Sequence, residues 1–188
     1  MNVYDFDNTI YNGESVVDFF LYFLKRDLSL LTYIPKVIKA LVDYKAQKIT
    51  IDEAMSEYGV IVEEYCRKTG NLEEHIRNFW DRNINKIKPF YFDLRKDDDF
   101  ILSASFDVVL AEMGRRVGIK NIVSSETDLA NSKILNLCFR ENKVKAFKEK
   151  YPDAVIDNFY TDSLNDQPII DLAKNAYLVK GNKITEIK

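Results

Sequence analysis

The chain has 188 residues, 46% of them hydrophobic and 13% aromatic, with a formal net charge of −3. That length and apolar content suit one globular domain, or a compact domain carrying a sizeable insertion. The weak negative charge excludes a global basic field that would recruit nucleic acid or anionic lipid.

The N-terminal residues 2–6 read as a short apolar strand rather than a leader, because no basic start precedes an apolar stretch. Helical text follows from Glu14 to Lys88. Its most apolar part, Val16 to Val42, is interrupted by Asp18, Lys25, Arg26, Asp27, Lys36 and Lys39, so it is no membrane span. Within this region Leu72, Ile76, Phe79, Trp80, Asn83 and Ile87 recur at spacings of three and four, an apolar stripe with one polar member. Thr50-Ile51-Asp52-Glu53 and Asn71-Leu72-Glu73-Glu74 both read as helix starts, the first as a capping box. Pro35 and Gly70 punctuate the segment and Pro89 closes it. His75 falls here as a helix-surface residue.

After Asp97-Asp98-Asp99 the text alternates strand and helix. Phe100-Ile101-Leu102 is a strand, and 106–117 a helix that Gly118 can stop. Asn121-Ile122-Val123 and 134–139 are strand-like. A helix near 143–150, a strand at 155–160 and a helix near 166–174 follow. Tyr177-Leu178-Val179, Gly181-Asn182 and Ile184 predict a closing hairpin with a two-residue turn. Such alternation predicts an α/β fold, a Rossmann-like parallel sheet covered on both faces. Residues 1–13 and 90–188 form this core, and 14–89 an inserted α-helical cap. Cys66 and Cys138 stand in no ligand-like spacing and read as reduced thiols of a cytoplasmic protein.

Four places carry chemistry. The first strand runs into Asp5-Phe6-Asp7-Asn8-Thr9, where ligands of parallel sheets sit. Two same-face acids can divide labour, one attacking and one moving protons, although solvated Asp and Asn are also ordinary turn residues. Ile101-Leu102-Ser103-Ala104-Ser105 ends another strand, where a hydroxyl beside free helix amides makes an anion site or simply a serine N-cap. A lysine, Lys143 or Lys145, stands near a helix start. Finally, Phe159-Tyr160-Thr161-Asp162-Ser163-Leu164-Asn165-Asp166 delivers acids to a strand's carboxyl end, oxygen ligands suited to magnesium.

In this order, the set resembles the four motifs of the haloacid dehalogenase superfamily, and within it the subgroup of phosphoserine phosphatases, which carry a helical cap between motifs one and two. The resemblance covers nearly the whole chain. It implies a Mg²⁺-dependent phosphomonoester hydrolase with Asp5 as the nucleophile that becomes an aspartyl-phosphate. Asp7 would be the general acid/base, its backbone carbonyl also reaching the metal. Thr9 would support the loop, and Ser103 would bond the transferring phosphoryl group. Lys143 matches the motif-three lysine because Asn142-Lys143-Val144 precedes the helix, with Lys145 in reserve. Asp162 would be the acidic metal ligand, Asp166 would support the metal shell, and Asn165 would contact phosphate.

Departures from the pattern bear on the substrate. Thr161 stands where many relatives have glycine, and motif two reads Ser-Ala-Ser where phosphoserine phosphatases show Ser-Gly-Gly. Glu14, nine residues after Asp5, matches a glutamate that faces the substrate amine, and equally fits an acid in a helix's first turn. The stretch Ala54-Met55-Ser56-Glu57-Tyr58 lacks the arginine that grips a phosphoserine carboxylate. The aromatic-rich cap reads as bundle core, or as an apolar vestibule for a lipid-like or aromatic phosphate, such as a phosphatidylglycerophosphate type. Arg82, Lys86 and Lys88 read as a solvated face or a greeting for an anion. The main expectation is a small-molecule phosphomonoester as partner, with no nucleic acid and no integral membrane segment; the residues specify no oligomeric state. Phosphotransfer to another acceptor, and a receiver-like or catalytically idle protein, are the alternatives. Dehalogenase chemistry would not need Asp7.

Overall fold

The computed structural model describes residues 1–36, 39, 43, 48, 53, 59–128, 130–131, 133–139 and 141–188. The first predicted capping box, apart from Glu53, and the Ala54–Tyr58 stretch lie outside them.

Seven strands form one sheet in the order β4-β3-β2-β1-β5-β6-β7. They are β1 (Asn2–Tyr4), β2 (Phe100–Phe106), β3 (Asn121–Asp128), β4 (Lys133–Asn136), β5 (Asn158–Thr161), β6 (Asn175–Lys180) and β7 (Lys183–Glu186). The inner five run parallel, as expected of the core, and both edge strands are antiparallel. Each edge partner arrives through a short reversal, too short for a helical crossover. The last is the predicted hairpin, turning at Gly181-Asn182 with Gly181 at φ +61.

The strands alternate sides with period two. Val3, Phe100, Leu102 and Phe159 enter one buried cluster with Phe147 and Ile169. Tyr4, Ile101 and Tyr160 enter the other, with Phe6, Trp80 and Met113. Both faces are therefore covered. Among the described residues the helices include α1 (Ser15–Leu24), α2 (Val60–Thr69), α3 (Leu72–Asn83), α4 (Pro89–Leu94), α5 (Asp107–Val117), α6 (Glu141–Lys150) and α7 (Gln167–Leu172). Gly118 ends α5 in the left-handed region, as expected. Pro89 opens α4 at its first position instead of only closing the preceding helix.

The stripe of α3 buries Ile76, Phe79 and Trp80 in the same cluster as Tyr22, Phe23 and the sheet residue Tyr4. Its polar member, Asn83, donates to the Phe79 carbonyl at 2.8 Å. The Trp80 indole donates to the Val109 carbonyl of α5 at 2.7 Å, tying the helical segment to the sheet layer. His75 is not a surface residue. It is half-buried against Phe23, with Nδ1 3.1 Å from the Tyr22 hydroxyl. Two crossing segments join the helical region to the sheet: Lys88 N–H donates to the Ile10 carbonyl, and Asn12 N–H to the Lys86 carbonyl.

Candidate active site

The sheet order reverses direction around β1, with β2 on one side and β5 on the other. Such a reversal is where α/β sheets place ligands, beyond the carboxyl end of the strand. The Asp5 N–H still pairs with the Tyr160 carbonyl at 2.8 Å; beyond it the chain leaves the ladder, and Asn8 adopts φ +57, a conformation asparagine tolerates.

Both carboxylate oxygens of Asp5 are engaged. Oδ1 accepts from Lys143 Nζ at 2.7 Å, and Oδ2 from the Thr9 hydroxyl at 3.2 Å. Lys143 also donates to Asp166 Oδ1 at 2.9 Å, and its side chain is only 4% exposed. The structure thus brings Lys143 to the site, from inside the first turn of α6 rather than ahead of it. Lys145 points away, exposed, with Glu149 at 4.0 Å. Burial pushes the Asp5 carboxyl up to about 7, the Lys143 ammonium opposes that, and the Asp166 and Asp7 charges reinforce it.

Asp7 is held differently. Oδ1 accepts from the Ser15 N–H at 2.6 Å, and Oδ2 from the Ser105 hydroxyl at 2.7 Å. The two serine hydroxyls lie 2.6 Å apart. Because the Ser105 proton is committed to Asp7, Ser15 is the donor between them. Burial pushes the Asp7 carboxyl up against these bonds.

Ser103 is buried and accepts from the Ser105 N–H at 3.0 Å. It is neither a helix cap nor beside free helix amides, since β2 continues to Phe106 and α5 begins at Asp107. The β2 register shifts between Leu102 and Phe106, an irregularity of the kind that re-aims side chains near sites.

On the β5 side, Asp166 accepts from Thr161 Oγ1 at 2.8 Å through its second oxygen. Its two oxygens thus tie Lys143 to Thr161. Asp162 is half-buried, and burial pushes its carboxyl up, with Lys180 opposing. Asn165 is exposed, its N–H bonded to Ser163 Oγ at 3.1 Å. Glu14, at the N-cap of α1, accepts from Asn8 Nδ2 at 2.5 Å. Although the residue is exposed, partial burial pushes its carboxyl up, and the Asp7 and Asp162 charges add to that.

A family model described as haloacid dehalogenase-like hydrolase matches residues 3–171. The chain belongs to that family. No curated protein sequence matches it. Solved structures share the haloacid dehalogenase-like fold at low identity. A Bordetella pertussis Tohama I protein described as of unknown function is 16% identical, with TM-score 0.72, over 94% of this chain and 87% of that one. A phosphoserine phosphohydrolase-like protein from Francisella tularensis is also 16% identical, with TM-score 0.63, over 94% and 86%. A substrate-bound phosphoserine phosphatase complex is 12% identical, with TM-score 0.51, over 93% and 82%.

In this hydrolase the acids outnumber the ammonium groups beside them, Lys143, Lys88 and Lys180. Asp5, Asp7, Asp162 and Glu14 are all disfavoured as anions by burial. That surplus fits a hard divalent cation. Among the described residues no three metal-binding side chains form a cluster; magnesium would need only one or two of these carboxylates, with waters and substrate phosphate completing its shell.

Four residues of the site carry no local signal in the sequence. Ser15, Ser105 and Thr161 are small polar residues whose partners lie across the fold or in a turn. Lys88, read as part of a solvated face or an anion-greeting cluster, is instead buried. Its Nζ donates to the Asn8 carbonyl at 2.5 Å and the Gly181 carbonyl at 2.9 Å, and burial holds its pKa down. Lys86 is paired with Asp18 at 2.6 Å, while Arg82 is exposed.

Proposed function

We propose that this hydrolase is a magnesium-dependent phosphomonoesterase that works through an aspartyl-phosphate on Asp5 and acts on a small phosphorylated metabolite. The observation that carries the reading is the contrast between the two acids: Asp5 sits against a buried lysine, while Asp7 is fixed by a backbone amide and a serine hydroxyl. One carboxylate is set beside a charge that can also attract phosphate, and the other is shaped to hold and release a proton.

In the first step an Asp5 oxygen attacks phosphorus, the bond to the alcohol oxygen breaks, and Asp7 gives that oxygen its proton. In the second, Asp7 takes a proton from water, the water oxygen attacks phosphorus, and phosphate leaves with the Asp5 carboxylate restored. Lys143 would offset charge on the phosphoryl oxygens, and Ser103 can donate its hydroxyl to one of them. Asp5, the Asp7 carbonyl and Asp162 would hold Mg²⁺, with Asp166 orienting Lys143 behind them. Bound there, the cation would neutralise phosphate charge that otherwise repels Asp5. Thr9 secures the Asp5 carboxylate, while Glu14 and Asn165 would meet the substrate at the rim. With no arginine in residues 54–58, phosphoserine should be a poor substrate. The two free thiols suit a reducing, cytoplasmic setting, and no helix among the described residues is long and apolar enough to cross a membrane.

The test is Asp5→Asn. With p-nitrophenyl phosphate and Mg²⁺, the folded variant should fall below about a hundredth of parental turnover, because the amide cannot form the covalent intermediate. Turnover above that level, or parental turnover that survives chelation of Mg²⁺, would refute the scheme.

A further inference from the structure

The phosphomonoesterase reading fixes a direction. Displacement at phosphorus is in line, so the leaving alcohol lies opposite Asp5 and next to the acid that protonates it, Asp7. The two serines that hold Asp7 are each followed in the chain by a residue lining one cavity: Val16 after Ser15, and Phe106 after Ser105. This cavity, about 220 Å³, runs between α1, α2 and the α5–β4 edge of the sheet layer. Phe19, Phe20, Tyr65 and Val108 supply much of the remaining wall.

Three of the polar residues in that wall, Glu63, Thr127 and Asp128, are already bonded within the chain, and Lys133 is exposed. Glu63 Oε1 accepts from the Ile134 N–H at 3.0 Å. The Thr127 hydroxyl donates to Asp107 at 2.6 Å, and Asp128 accepts from both the backbone and side chain of Asn131 at 3.0 and 2.7 Å. A hydroxyl-rich leaving group such as a sugar would lose its water there and gain little in return. An apolar body would lose nothing polar and would gain contact with aromatic rings.

We infer that the cavity is the leaving-group subsite, and that the substrates of this enzyme are monoesters of apolar alcohols, alkyl or aryl, whose tail fills it. The inference rests on the phosphomonoesterase reading and narrows its substrate class. Glu14 directly precedes Ser15 and is exposed, so a polar atom of the alcohol near the phosphate would be the part to meet it.

The test is a series of n-alkyl phosphates from methyl to decyl, kept monomeric, with the full chain and Mg²⁺. Specificity, as kcat/KM, should rise about two- to fourfold per methylene while the tail is being buried, then level off when the cavity is full. Val108→Trp, which fills the cavity from the α5 side, should flatten that slope. A binding arm needs no turnover: octylphosphonate should bind at least tenfold more tightly than methylphosphonate, and Val108→Trp should erase the difference. A flat or falling series with methyl and p-nitrophenyl phosphates still hydrolysed overturns the subsite and leaves the phosphatase reading standing. Absence of all turnover overturns the phosphatase reading, and equal binding of the two phosphonates then overturns the subsite as well.

Discussion

Ser105→Ala isolates the contact that positions the proposed acid. The substitution removes the hydroxyl that donates to Asp7 at 2.7 Å and accepts from Ser15 at 2.6 Å, in a side chain whose residue is 1% exposed. A hydrogen bond to a charged group is worth about 1.5–3 kcal/mol. If Asp7 depends on it for position in the transition state, kcat should fall by about 10- to 150-fold. Ser15, also buried, loses its acceptor, which adds about 1–3 kcal/mol of instability. Removing both hydroxyls leaves no such orphan, so Ser15→Ala/Ser105→Ala should regain part of the melting temperature while kcat stays low. The Ser105 bond also holds the Asp7 carboxyl down against burial. Without it that carboxyl rises further, so the limb of the kcat profile set by protonated Asp7 should move to higher pH. Phosphate release across pH and thermal unfolding measure all three effects. A variant within twofold of parental kcat, with an unmoved pH profile, would show that Asp7 needs no help from Ser105.

Lys143→Met should cost about 3–5 kcal/mol of stability by leaving Asp5 and Asp166 buried without their cation and should abolish turnover. Lys145→Met should change stability by less than about 1 kcal/mol, since its pairing is exposed; equal losses in thermal unfolding and activity would overturn the choice between the lysines. Magnesium should stabilise the fold more at pH 8 than at pH 5. Burial raises the Asp5 carboxyl to about 7, so without metal the native state holds a proton that the unfolded chain has lost above roughly pH 4. Native stability from this group is therefore complete below that point and declines as pH rises toward 7, and a cation there removes the penalty. An equal Mg²⁺ shift in melting temperature at both pH values would contradict this.

The features that depended on local chemistry were legible in the sequence. Gly118 stops α5, the Gly181-Asn182 turn makes the hairpin, and the period-three-and-four stripe of α3 places Trp80 in the core. The acids after β1 and β5 were legible because a strand's end is a fixed position whatever packs around it. Strand β4 was read too far along. It ends at Asn136, because the N–H of Cys138 bonds to Ser125 Oγ at 3.0 Å instead of a neighbouring strand, and its side chain turns into the core. Ser105 and Lys88 were illegible for a different reason. Their partners stand 98, 80 and 93 positions away, and nothing in the flanking residues encodes such a meeting. Thr161 was noted only as a replacement for glycine, yet it is the hydroxyl that orients Asp166.

The bonds of Lys88 give the C-terminal hairpin a meaning beyond closing the sheet. One ammonium holds the carbonyl of Asn8, in the loop between Asp7 and Thr9, and the carbonyl of Gly181, at the tip of the turn between β6 and β7. The hairpin contributes no acid and no hydroxyl to the site, and by composition it looks dispensable. Trimming the chain after β6 would nonetheless remove one of the two carbonyls around a buried ammonium, and the strain of that loss would fall on the other, in the nucleophile's own loop. Truncation that removes Gly181 itself is therefore expected to disturb the nucleophile's loop from the far end of the sheet.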